Sequence, residues 1–300
     1  MIQINNATKR FDQKTAVSSL SLDIDSGVIG LVGQNGAGKS TLLRMIAGVY
    51  QADEGEIRVD SFLSTSKESK ELIFFLPDDP YTPLNSDTKS VKEFYQIFYN
   101  VDEDVFENLI DKFNLPRNVK INKFSKGMKR LLFIALALSV DSHYLLLDEA
   151  FDGLDPLVLE TVKEQIVRIC KDKDKTVIVS SHNVTALEKL VDKFVVIHDG
   201  KLSKDGDLDS LGETFIKYQA IFEKDCDEET LLGLGLNVLS YRKAGSIHNF
   251  VINNKSNDNV EKILSKLNPT LLENIAIDAN EIILLQMALA KKENKHHEKA

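Results

Sequence analysis

Gly33-Gln34-Asn35-Gly36-Ala37-Gly38-Lys39-Ser40, with Thr41 next, fits the pattern G-x-x-x-x-G-K-[ST]. An unbroken apolar run, Val28 to Val32, precedes it, and a helix is predicted from Lys39 to about Ala47. A strand, a glycine-rich turn and a helix in that order are the context in which such a loop binds phosphate. Glycines let the backbone curl until successive N–H groups point at one anion. The helix beginning at the loop adds its positive dipole end. On this reading Lys39 offers a point charge to the β- and γ-phosphates of ATP, and the Ser40 hydroxyl ligates Mg²⁺. Gly33, Asn35, Gly36, Ala37, Gly38 and Thr41 complete the nucleotide-binding loop.

Further along the chain, Leu145-Leu146-Leu147-Asp148-Glu149 reads as a hydrophobic strand ending in two carboxylates. Two acids at a strand end are ordinarily just solvated. Beside a phosphate loop they acquire a chemical reading. Asp148 is expected to hold Mg²⁺ through water, and Glu149 to act as general base on the attacking water.

The bulk numbers agree with a nucleotide enzyme and exclude other classes. The chain has 300 residues, enough for one large domain and one small one. Hydrophobic residues make up 43%, so a packed core is the natural expectation. The formal charge is −9 and there is no long basic block, which argues against a nucleic-acid partner. Cys170 and Cys226 form no CxxC pair and read as reduced thiols of a cytoplasmic protein. Ile2 and Ile4 alternate with polar residues like a strand, so no leader is expected. The longest apolar run is Leu131 to Leu138, whereas a membrane helix needs about 20 residues. No direct membrane insertion is therefore predicted.

Residues 1 to about 30 read as short strands with turns, the edge of a β-rich subdomain. Further buried strands are predicted at Ile73–Leu76, Tyr144–Leu147, Thr176–Val179 and Phe194–His198, with helices between them. That alternation predicts an α/β fold with a mostly parallel sheet and helices on both sides. From Ser90 to about Leu115 the pattern is helical, with Val91, Phe94, Ile97 and Phe98 on one face. A small α+β lobe is predicted from 216 to 290. It would contain strands at Ile216–Phe222 and Ile247–Ile252, a helix carrying Val260, Ile263, Leu264 and Leu267, a strand at Ile275–Ile277, and a helix at Glu281–Ala290. Residues 291–300 read as a charged, frayed tail.

Three more pieces carry a resemblance. Phe124-Ser125-Lys126-Gly127-Met128, Gly153-Leu154-Asp155-Pro156 and Ser181-His182 follow the phosphate loop in the order found in nucleotide-binding subunits of ABC transporters. They resemble that family's signature, D-loop and switch histidine. The resemblance covers residues 1 to about 210, and the Ser-Lys-Gly-Met signature is similar to that of the drug and antimicrobial-peptide exporter branch. It implies a P-loop NTPase core of the ABC type with an α-helical subdomain, occupying residues 1–215. It implies an ATPase driving a separately encoded membrane permease, peripheral on the inner face of the membrane. It also implies a head-to-tail pair of subunits, expected to be a homodimer. In that pair Ser125, Lys126, Gly127 and Met128 of one copy would reach the ATP held by the other. His182 would contact the γ-phosphate and hold the attacking water, and Phe11 would stack on adenine. Where the family usually has Gln after a Leu-Pro pair, this chain has Asp78. Asp78 is still expected to ligate Mg²⁺, but an ionised carboxylate donates no hydrogen bond. The alternative is a soluble ABC ATPase acting on ribosomes or DNA. Ribosome-acting relatives usually carry two cassettes, however, and DNA-acting ones a long coiled coil, and neither pattern is present.

Overall fold

The structure, a computed structural model, describes residues 1–173, 175–224, 226–253 and 260–297. It divides into two compact units, Met1–Asp205 and Gly206–Ala300.

In the first unit a six-stranded sheet runs in the spatial order Lys201–Gly206, Lys193–His198, Val28–Val32, Thr176–Ser181, Tyr144–Asp148, Ile73–Leu76. The last five of these strands are parallel to one another. Val28–Val32 and Tyr144–Asp148 are buried at every position, which is why both read as unbroken apolar runs. A second, antiparallel sheet has the order Lys14–Ile24, Ile2–Phe11, Glu54–Val59, Phe62–Leu63. The helix Lys39–Ile46 supplies Leu42, Leu43, Met45 and Ile46 to the core that the two sheets share. The phosphate loop is therefore anchored between a buried strand and a buried helix.

The helical region departs from one detail of the prediction. Instead of a single periodic stretch from Ser90 to Leu115, it holds two helices, Thr88–Gln96 and Glu103–Lys112. Val101 forms a bridge with Val140 between them, and the Asp102 carboxylate caps the second helix by accepting from the Val105 N–H at 3.1 Å. Val91, Phe106 and Ile110 are buried as core, but Ile97 and Phe98 stand 72% and 67% exposed. The signature helix is Lys126–Ser139, capped by Ser125, which accepts from the Met128 N–H.

The second unit is an antiparallel sheet in the order Val238–Ala244, Ile247–Asn253, Phe215–Phe222, Pro269–Ile275. Its core packs Tyr218, Phe222, Phe250 and Ile252 against Leu231 and Leu264 of two short helices. The expected boundary at 215/216 falls instead at 205/206. The helix Leu208–Gly212 belongs to this unit because Leu211 is wholly buried and its carbonyl accepts from Gln286 Nε2 at 2.6 Å. The strand expected at Ile275–Ile277 is Pro269–Ile275 and stops short of Ile277. The last helix runs Ala279–His297, so residues 291–297, expected to be a frayed tail, continue it. Residues 298–300 lie outside the described residues.

Among the described residues, no helix is long and apolar enough to cross a membrane.

Candidate nucleotide site

Gly33 follows the central strand directly, where a β-carbon would lie 2.4 Å from the Ile197 carbonyl oxygen. Gly36 and Gly38 have φ of +80° and +108°, the left-handed region that side chains resist. At Gly38 a β-carbon would also meet the Ala16 carbonyl oxygen at 2.4 Å. Ala37 is fixed on both sides: its N–H donates to Gln34 and its carbonyl accepts from Gly200.

The loop opens into a cleft of about 450 Å³ lined by Phe11, Lys14, Ala16, Asn35, Gly36, Gly38, Lys39, Ser40, Thr41, Asp78, Glu149, Asp152 and His182. Most of the residues read as nucleotide-binding thus converge on one space. Gly33, Ala37 and Asp148 do not line it, and neither do Ser125, Gly127 and Met128. Lys126 lines an adjoining cleft of about 520 Å³ with Lys129 and Arg130, and the two clefts share Asp78 and Asp152.

Charge in the cleft is tightly paired. Lys39 Nζ donates to the Gly33 and Gln34 carbonyls at 2.8 and 3.3 Å and sits 3.1 Å from Glu149 Oε1. Both side chains are largely shielded, at 5% and 14% exposure. Glu149 Oε2 lies 3.0 Å from His182 Nδ1, and Asp152 stands 3.6 Å from the same nitrogen. Burial, and then the Glu149 carboxylate, push the Asp152 carboxyl above its ordinary value. Asp78 is exposed, and its Oδ1 accepts from Arg130, which also donates to the Asp152 carbonyl. Phe11 is 40% exposed and meets Tyr50 edge-on at 5.2 Å.

Asp148 is 1% exposed and makes its contacts through one oxygen. Oδ1 accepts from Ser40 Oγ at 2.9 Å and from Ser180 Oγ at 2.7 Å. Oδ2 is buried and has no hydrogen-bond partner. A buried carboxylate oxygen left bare is costly unless a cation takes it. The pair Ser40 and Asp148 therefore fits a divalent metal, with hard oxygen donors of the kind Mg²⁺ prefers.

Sequence reasoning missed Asp152, Arg130 and Ser180. Asp152 precedes the Gly153–Pro156 motif and Ser180 precedes Ser181-His182, so their only signal was adjacency.

Fold and cleft together define a phosphate-loop ATPase whose signature residues Ser125, Gly127 and Met128 do not line its own nucleotide cleft. Residues 17–152 match the family model described as ABC transporter. The bacitracin transport ATP-binding protein BcrA of Bacillus licheniformis is 30% identical over 73% of this chain and 73% of its own. The ABC transporter ATP-binding protein YtrB of Bacillus subtilis (strain 168) is 26% identical over 95% of this chain and 97% of its own. A solved bacterial ABC transporter cassette, described as dimeric, superposes with a TM-score of 0.62 at 22% identity, covering 69% of this chain and 98% of that one. This chain belongs to the ABC transporter ATP-binding family and is an ATP-binding, ATP-hydrolysing transporter subunit.

Proposed function

We propose that the chain energises export of antimicrobial peptides or drugs through a separately encoded permease, as a homodimer sharing two Mg²⁺-ATP sites. The observation that carries this reading is the split of the motif residues. Lys39, Ser40, Glu149 and His182 surround one cleft, whereas Ser125–Met128 stand outside it. The first N–H groups of a helix have no partner within it and suit a phosphate. A second copy facing head to tail delivers Ser125 and the Gly127 backbone to the γ-phosphate, with Lys126 and Met128 beside them.

Lys39 binds the phosphates. Lys39 is paired with Glu149, so phosphate oxygens replace Glu149 as its partner. Ser40 and Asp148 hold Mg²⁺, which when bound spreads the phosphate charge and favours attack. Glu149, freed from Lys39, takes the proton of the attacking water, and His182 orients that water from the other side. Phe11 stacks on adenine. Asp78 lines the same cleft with its Oδ1 held by Arg130 and would add a carboxylate oxygen for the cation. Domain roles follow the two units: the first carries the nucleotide chemistry and the second assembly or regulation.

The permease reading is supported by apolar side chains left on the surface. Tyr81, Leu84, Ile97 and Phe98 are all at least 66% exposed, and Phe94 packs against both Tyr81 and Phe98. Exposed clusters of this kind mark protein contacts. The docked subunit then sits on the cytoplasmic face of the membrane. The peptide class is supported by the bacitracin transport relative. Co-expression with its permease should raise the tolerance of a susceptible bacterium to bacitracin-like peptides, and Lys39→Ala should abolish that gain. If tolerance to a panel of peptides and drugs is unchanged while the permease stimulates ATP hydrolysis, the substrate class is wrong and the subunit role stands.

A further inference from the structure

Ser180 belongs to none of the motifs quoted above, yet it touches both acids of the site. It lies on the strand Thr176–Ser181, directly opposite Asp148 in the parallel register, and is wholly buried. Its Oγ is 2.9 Å from the Glu149 backbone nitrogen and 2.7 Å from Asp148 Oδ1. A backbone N–H only donates and an ionised carboxylate only accepts. The hydroxyl must therefore accept from Glu149 and give its one proton to Asp148, so its orientation is fixed.

Two features of the acids follow from that bond pair. The first concerns Asp148. The two oxygens of a carboxylate are equivalent, so what Ser180 and Ser40 fix, by both donating to one oxygen, is the plane in which the group lies. The bare, buried Oδ2 is thereby the oxygen kept for a cation. The second concerns Glu149. Its φ is +48°, a conformation that a residue with a β-carbon adopts only when its surroundings hold it there. The Ser180 hydroxyl is the partner of that turn's N–H. The turn ends the strand and brings the Glu149 carboxylate to Lys39 and His182.

We infer that Ser180 is a positioning residue for both carboxylates: one hydroxyl directs Asp148 Oδ2 at the metal and holds the backbone that aims Glu149. The inference rests on reading the cleft as a Mg²⁺-ATP site. A serine that merely satisfies a strand end would support the fold without distinguishing metal-loaded from metal-free nucleotide. Ser180 acts on the metal ligand, so its loss falls selectively on the metal-dependent part of binding. Partners that orient a metal ligand typically contribute about 10–100-fold to metal affinity.

The test is the affinity of the full-length protein for a fluorescent ADP analogue, measured in excess Mg²⁺ and in excess EDTA. For Ser180→Ala the ratio of the two affinities should fall about tenfold from its wild-type value, with the EDTA affinity within about twofold of wild type. If Ser180→Ala does not yield folded protein by circular dichroism, Ser180→Cys keeps the volume with a weaker donor and should show the same selective loss. A folded variant that keeps the wild-type ratio, or that loses affinity equally in Mg²⁺ and EDTA, overturns the role of Ser180 alone. A wild-type protein whose affinity is indifferent to Mg²⁺ overturns the reading of the site and Ser180 with it.

Discussion

The ion pair with Glu149 neutralises Lys39 within the cleft. A shielded pair loses much when one partner is removed, because the other charge stays behind without solvent. Binding of nucleotide avoids that loss by exchanging one anion for another on Lys39. Glu149→Gln removes both the base and the competing charge. Turnover should fall by about 10²–10⁴-fold, the usual contribution of a general base. Affinity for Mg²⁺-ADP should be equal to or tighter than that of wild type, because phosphate no longer displaces a carboxylate. Steady-state hydrolysis together with ADP titration checks both. Turnover within a few-fold of wild type would remove Glu149 from the role of base, and weaker ADP binding would show that the ion pair does not compete with phosphate.

At the scale of elements, the phosphate loop is shaped by two different constraints. Gly36 needs only its φ of +80°, since a β-carbon there would meet nothing within 4 Å. Gly38 needs both a φ of +108° and space, with the Ala16 carbonyl oxygen 2.4 Å from where a β-carbon would lie. Gly36→Ala should therefore cost about 1–3 kcal/mol of loop strain and weaken nucleotide binding while leaving it measurable. Gly38→Ala must also push apart the loop and the strand Lys14–Ile24, and should abolish nucleotide binding in a protein that remains folded. Calorimetric titration of both variants with ATP would decide, and equal losses would show that strain alone governs the loop. The break in the helical region follows a different logic. Asp102 offers a side-chain oxygen to cap a new helix start, and Val101 pairs with Val140, so one periodic stretch becomes two helices.

At the scale of the whole molecule, the signature lies outside the cleft it is proposed to serve, so a single copy is half a site. ATP hydrolysis in dilute solution should rise faster than linearly with protein concentration, and strictly proportional activity from a verified monomer would contradict the shared site. The same titration tests the second unit. A chain ending at Asp205 removes that unit whole, whereas one ending at Gly212 would leave Leu211, buried in the full protein, without its packing partners. The shorter chain should keep full-length affinity for nucleotide, because every described residue lining the cleft lies before it. Its concentration dependence should shift to higher protein if the second unit promotes pairing. Loss of nucleotide binding in a folded fragment would assign the second unit to the site itself.

What the amino-acid sequence determined alone was local chemistry. The phosphate loop, the two acids after a run of leucines and the histidine at a strand end each need a fixed residue type at a fixed spacing. Strands buried on both faces were legible because they are apolar throughout. The strand Val238–Ala244 was not, because most of its residues are exposed and carry no apolar period. The last helix was cut short at Ala290 because its charged end has no apolar face, although helical hydrogen bonding needs none. The pairing within the site was decided only by the tertiary structure. That Asp148 leaves Oδ2 buried and bare, that Ser180 bridges two acids, and that Arg130 meets Asp78 all depend on contacts between strands and loops far apart in the chain. The exposure of Ile97 and Phe98 likewise depends on where the neighbouring helices stop, since helical periodicity marks a shared face but not what covers it.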